Sequence, residues 1–238
     1  TRVRSSAASD VYKRQQLRRK PELFDVFYPS DDISCWIIST NAAIPAHALE
    51  RHLEKEMTAW KGPYMEYEPP EEGAVYVIGA DPSGHAARDH ASFQVLKCYD
   101  GEWTQVATFA EHIDPLSFSR KLVAVGERYN RANIVVESNG VGQGVLTLLR
   151  DWDYPNLFYE KKRRPGFTTT AKSLDQTIGY LVDALLDDLH LNDADTLHQL
   201  MSYKNDKRIE EGAGSEIARG EPNRRRRERH HWDKVSAL

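Results

Sequence analysis

The chain has 238 residues, of which 40% are hydrophobic and 29% charged, with a formal net charge of −4. That is enough for one large domain, or a domain with an extension. Its longest apolar runs are one strand long, against about 18 residues for a membrane span, so no membrane-spanning helix is expected. The net charge makes no general case for nucleic acid, but the basic residues concentrate in "KKRR" at 161–164 and "RRRRER" at 224–229. Cys35 and Cys98 have no metal-ligand spacing and are expected to stay reduced in a cytoplasmic compartment. No secretory signal is visible.

Residues 1–15 lack apolar periodicity, and 1–23 are set aside as a non-native or disordered leader. Residues 24–40 offer one short strand, at 35–38. A helix is predicted over 45–60, with Pro45 near its start and Leu49, Leu53 and Met57 at four-residue spacing. The stretch "KGPYMEYEPPEEG", 61–73, then reads as a linker. The pattern changes after it. Strands are predicted at 74–80, 91–99 and 103–113, the last two joined by Asp100-Gly101, a hairpin signal, so the three form an antiparallel meander.

A helix follows over 114–130, with Asp114 as N-cap and Pro115 at the first helical position. Phe118, Leu122, Val125 and Tyr129 share its apolar face. The run at 133–138 suits a buried parallel strand. Further elements are a helix at 142–152, a strand at 156–160, and helices at 174–191 and within 194–203. Tyr129, Trp152 and Tyr180 fall at core spacing and are expected to pack. Three antiparallel strands, then helix, strand, helix, strand, helix, is the layout of a ribonuclease H-like α/β domain: a mixed sheet with helices on both faces. A doubly wound nucleotide-binding domain would instead place helices between its first strands.

Two strands in this layout end on carboxylates followed by turns, Asp81 in "VIGADPSG" and Glu137 in "IVVESNGVGQG". If the first and fourth strands are neighbours, the two acids lie side by side. Such a pair repels by several kcal/mol when partly buried, unless it shares a proton or holds a cation. Mg²⁺ suits the second case, because it takes one or two carboxylates together with substrate phosphates. A third acid, Asp233, opens an apparent helix after a basic run. Taken singly, each acid has an ordinary explanation as a turn, a solvated strand end or an N-cap. His85, His90, His230 and His231 show no zinc spacing and read as loop or phosphate-contacting residues.

From about Phe24 onward the chain resembles the C-terminal nuclease half of a tailed-phage terminase large subunit. The residues that carry the resemblance are "GADPSGHAARDHAS", "DPLSFSRKLVAVGERYNRANIVVESNGVGQGVL", "RPGFTTTAKSLDQTIGYL" and "HHWDKVSAL". It implies that Asp81, Glu137 and Asp233 are catalytic, metal-binding acids for two Mg²⁺ or Mn²⁺ ions about 3.5–4 Å apart. Asp81 would bridge the ions, with Glu137 on one and Asp233 on the other. Asp89, Asn139, Gly140 and Lys172 would support them, Asn139 and Gly140 by allowing a tight turn. Lys161, Lys162, Arg163 and Arg164, with Arg224, Arg225, Arg226 and Arg227, would contact DNA phosphates. Many relatives carry two adjacent acids after the late His, where this chain has Trp232 and Asp233.

The implied activity is endonucleolytic cutting of double-stranded, concatemeric viral DNA during genome packaging, in the cytoplasm of a bacterial host and outside the mature virion. The small terminase subunit and the portal would be partners. No G-x-x-x-x-G-K-[ST] loop occurs, so no ATPase activity is expected. Residues 24–70 would be the tail of a missing ATPase domain plus a linker, and 71–238 a nuclease domain cut short at its C-terminus. Alternatives left open are a resolvase- or transposase-like nuclease of the same fold, an actin-like phosphotransferase, and a non-catalytic DNA-binding or assembly module.

Overall fold

The computed structural model describes residues 42–53, 55, 57–59, 61–82, 90–203, 235, 237 and 238. The expectations for the leader 1–23, the strand at 35–38, Asp89, the histidines 85, 230 and 231, Arg224 to Arg227 and Asp233 lie outside them. Among the described residues no helix is long and apolar enough to cross a membrane.

The chain enters through a 3-10 turn, Ala46–Ala48, and a single helical turn, α1, Glu50–Leu53. The helix predicted over 45–60 stops there because a partner distant in sequence claims its backbone. Thr58 N–H donates to the Asn192 carbonyl at 3.0 Å, and Ala194 N–H donates to the Thr58 carbonyl at 3.2 Å. Leu49 is still buried, and Leu53 and Met57 still pack against the same apolar cluster.

The stretch read as a linker supplies an edge strand, β1, Tyr64–Glu66. Then come β2, Val75–Asp81, β3, Ala91–Tyr99, and β4, Glu102–Glu111. Asp100 and Gly101 both take positive φ, 51° and 85°, as a two-residue hairpin between right-twisted strands requires. Helix α2, Pro115–Arg128, begins where expected, with the Asp114 carboxylate accepting from Ser117 N–H at 3.0 Å. The next elements are β5, Asn133–Val136, and α3, Gly142–Asp151.

The strand predicted at 156–160 is displaced. Only Leu157 bridges Ile134, and Tyr159–Lys161 (β6) turns away to pair with Arg164–Pro165 (β7) as a separate hairpin. Helix α4, Ala171–Leu186, starts three residues before the predicted 174, because Thr170 and Ser173 form a reciprocal capping box. It ends early because Leu189–His190 (β8) pair in parallel with β4. Helix α5, Ala194–Ser202, closes the main run of described residues.

The strand order is β1-β4-β3-β2-β5, with β8 also on β4; β5 runs parallel to β2, and β1 to β4 are antiparallel neighbours. This is the ribonuclease H-like mixed sheet. On one face Tyr76, Ile78, Ala80, Phe93 and Phe109 pack against Phe118 and Leu122 of α2 and Val145 and Leu149 of α3. On the other, Leu96 and Trp103 meet Leu185, Leu197 and Leu200 of the last two helices, joined by Leu49 and Val235. Helices therefore cover both faces.

β1 is held firmly. Its Glu66 accepts from Arg128 Nε and Nη2, both at 2.8 Å, and Tyr129 donates to the Glu68 carbonyl at 2.9 Å. Tyr129 is buried as expected, but Trp152 and Tyr180 are 39% and 73% exposed and do not pack in the core. Trp152 lies past the end of α3. Tyr180 is five residues from the inward-facing Leu185, which turns it about 140° around the helix.

Candidate active site

The site begins with two strand ends. In the parallel pair β2–β5, Ala80 stands opposite Val136, and Glu137 N–H donates to the Ala80 carbonyl at 2.9 Å. One more step in the same register sets Asp81 beside Glu137. Ile78, Ala80, Ile134 and Val136 are buried in the core under α2 and α3. Alternation along both strands therefore sends the two acids to the opposite face, where each is half-buried. The juxtaposition expected from the sequence is met.

Both strands end for local reasons. Pro82 follows Asp81 and has no N–H to extend the ladder. After Glu137 the chain turns sharply into α3: Gly140 takes φ +54°, and a Cβ on Gly142 would collide with the Glu137 carbonyl. Ser138 is buried, its N–H donating to the Phe167 carbonyl at 2.7 Å and its hydroxyl lying 3.1 Å from that of Thr168. Gln143 donates to the Ser138 carbonyl at 2.8 Å. Asn139 does more than allow the turn. Its amide nitrogen lies 3.3 Å from Glu137 Oε1 and 2.9 Å from the Thr169 carbonyl oxygen.

On the far side of Asp81 stands Ser92, its antiparallel partner, fully buried. Two residues before Asp81, a Cβ on Gly79 would collide with the Ala237 carbonyl. The last residues of the chain therefore cross the same face as the two acids, although Asp233 itself lies outside the described residues. Lys172 is exposed in the first turn of α4, three residues beyond Thr169. Lys161, Lys162, Arg163 and Arg164 are exposed along the β6–β7 hairpin. Its base joins the strand that carries Glu137, since Phe167 N–H donates to the Val136 carbonyl at 2.8 Å. The His90 and His112 rings meet in a tilted pair, centroids 4.0 Å apart.

Sequence reasoning did not single out Ser92, His112, Gln143, the Thr168 hydroxyl or the Thr169 carbonyl. Ser92 could have been found by carrying the hairpin register back to the strand opposite Asp81. The Thr168–Thr169 contact had no such signal, because it joins segments 30 residues apart through a loop.

Chemically, the arrangement presents two carboxylates from neighbouring strands on one half-buried face. An all-oxygen donor pair of that kind fits a hard divalent cation completed by water or phosphate oxygens. Among the described residues no cluster of three or more His, Cys, Asp or Glu side chains stands ready for a metal. A third protein ligand would have to come from elsewhere.

A mixed sheet in this strand order, with paired acids at the ends of its first and fourth long strands, defines a ribonuclease H-like α/β domain. No family model matches the chain, and no curated protein does. Solved structures do match. The large terminase nuclease of the thermophilic phage G20c, with bound magnesium, superposes with a TM-score of 0.59 at 18% identity, covering 84% of this chain and 95% of that one. The same nuclease with bound cobalt gives 0.54 at 18% identity, over 70% and 82%. A further structure of that nuclease gives 0.53 at 18%, over 69% and 82%. This chain has the fold of a large terminase nuclease domain, the family its sequence motifs resemble.

Proposed function

We propose that the chain is a metal-dependent endonuclease that cuts double-stranded DNA, as the nuclease part of a tailed-phage terminase large subunit. The observation that carries this reading is the placement of Asp81 beside Glu137, at the ends of neighbouring strands in this fold. Asp81 and Glu137, with Asp233, would hold two Mg²⁺ or Mn²⁺ ions, and Asp89 and Lys172 would support them. Divalent ions so bound supply an activated water and neutralise charge on the phosphodiester. The protein's own part is to aim two half-buried carboxylates at one point and to lay the DNA backbone across them.

The exposed β6–β7 hairpin, with Lys161, Lys162, Arg163 and Arg164, would neutralise phosphates next to the site, giving salt-sensitive and largely sequence-independent binding. Arg224 to Arg227 would extend that contact. In its biological setting the enzyme would trim concatemeric viral DNA in the host cytoplasm and remain outside the mature virion. The small subunit, the portal and an ATPase domain would choose where it cuts.

The test is plasmid cleavage by the purified chain with Mn²⁺, Mg²⁺ or EDTA, beside Asp81→Ala. Nicking and linearisation that require metal and vanish in the variant are expected. Cleavage retained by Asp81→Ala would refute the assignment. A folded protein inert with either ion would favour a DNA-binding or assembly role.

A further inference from the structure

Asn139 sits two residues beyond Glu137, exposed, on the turn into α3. Its Nδ2 lies 3.3 Å from Glu137 Oε1 and 2.9 Å from the Thr169 carbonyl oxygen. An amide nitrogen carries two protons and so can serve both acceptors at once, while its oxygen can serve neither. The two contacts together therefore fix which way the amide faces. The turn does not need the side chain for its shape. Gly140 supplies the positive φ, Gly142 the close approach to the Glu137 carbonyl, and Gln143 the bond to the Ser138 carbonyl.

What the amide adds is a link between the acid and a second element. Thr169 immediately precedes Thr170, the N-cap of α4. There the Ser173 N–H donates to Thr170 Oγ1 at 3.1 Å, and the Thr170 N–H donates to Ser173 Oγ at 2.8 Å. Glu137 is on a half-buried face next to another carboxylate, a place where its flexible side chain would otherwise swing away from Asp81. Partners that hold a ligating carboxylate from behind commonly carry 10–100-fold in metal affinity.

We infer that Asn139 is a positioning residue: it locks the Glu137 carboxylate against the start of α4, so that one carboxylate oxygen is held and the other is left to face the cation beside Asp81. This inference rests on the metal-dependent reading of the same site. It also assigns the Thr168–Ser173 segment a role, since movement of that segment would release the acid.

Binding of Mn²⁺ alone, by calorimetry on the metal-free protein, tests the inference without relying on cleavage. Asn139→Leu keeps the side chain's shape and removes the donor; Asn139→Ala removes the donor without adding bulk. Both should weaken Mn²⁺ binding about 10- to 100-fold, while loss of the bond to Thr169 lowers the metal-free melting temperature by no more than about 6 °C. Asn139→Gln, which retains an amide, should restore most of the affinity. Gln143→Ala, which loosens the same turn without touching Glu137, should leave Mn²⁺ affinity unchanged.

Wild-type affinity in Asn139→Leu and Asn139→Ala would overturn the inference, as would an equal loss in Gln143→Ala, which would mean general loosening of the turn. A wild-type protein that binds no Mn²⁺ would instead overturn the metal-dependent reading on which the inference stands.

Discussion

Gly142 and Gly144 lie two residues apart at the start of α3, yet alanine should act on them with opposite sign. A Cβ on Gly142 would overlap the Glu137 carbonyl oxygen, and the next nearest atom, 2.9 Å away, is that carbonyl's carbon. Both belong to backbone, so no side chain can swing aside. Either the end of β5 or the first turn of α3 must move. Overpacking of this kind costs about 1–3 kcal/mol. Replacing glycine in a helix returns at most about 1 kcal/mol. With the full return subtracted, Gly142→Ala loses up to about 2 kcal/mol, or a melting temperature lower by up to about 8 °C in a domain of this size.

At Gly144 nothing lies within 4 Å of the added carbon, so only the helix preference remains. Gly144→Ala should gain about 0.5–1 kcal/mol. Because the atom displaced in Gly142→Ala is the carbonyl of Glu137 itself, Mn²⁺ binding should fall in that variant and stay constant in Gly144→Ala. Urea titration of the three proteins with a common m-value is the assay. A Gly142→Ala protein as stable as wild type, with unchanged Mn²⁺ binding, would refute the close approach and with it the account of how the turn aims Glu137.

Two further outcomes follow from other parts of the molecule. Replacing Lys161, Lys162, Arg163 and Arg164 together with alanine, in an Asp81→Ala background expected not to cut under the proposed function, should lower the slope of log affinity against log salt for duplex DNA by up to about 3–4. Fluorescence anisotropy reads that slope directly, and an unchanged one would remove the hairpin from the DNA contact. His52 is buried, and burial holds its pKa below the ordinary 6.5, while a bond to the Leu185 carbonyl opposes the shift. The unfolded chain therefore binds more protons just below that value. The stability contributed by neutral His52 is complete above it and is lost as pH falls toward the lowered folded pKa. The urea midpoint should drop over that window in the wild type and less in His52→Gln; parallel profiles would show that His52 is not the group responsible.

The sequence by itself determined whatever a few consecutive residues can decide. Asp114 and Pro115 start α2 because a cap and a fixed φ act within one turn. Asp100 and Gly101 close the β3–β4 hairpin because their positive φ values are a local requirement. Short, largely apolar runs bounded by turn formers marked β2 and β3, and two strand ends on acids marked the candidate site before any neighbour was known. Only the tertiary structure decided the outcomes that depend on partners far along the chain. Residues 45–60 have helical spacing, but Thr58 donates its N–H to the Asn192 carbonyl and accepts from Ala194 N–H, and the helix ends after one turn. The stretch at 61–73 is rich in turn formers, yet it contributes β1 because the edge of β4 had unpaired backbone and Arg128 was placed to hold Glu66. The acids themselves could be read from the strand pattern, and Ser92 could have been reached by carrying the register of β2 and β3 to the residue opposite Asp81. The Asn139 link to Thr169 could not, because it is made by a loop returning across the sheet, and such long-range pairings leave no periodicity in the residues that make them.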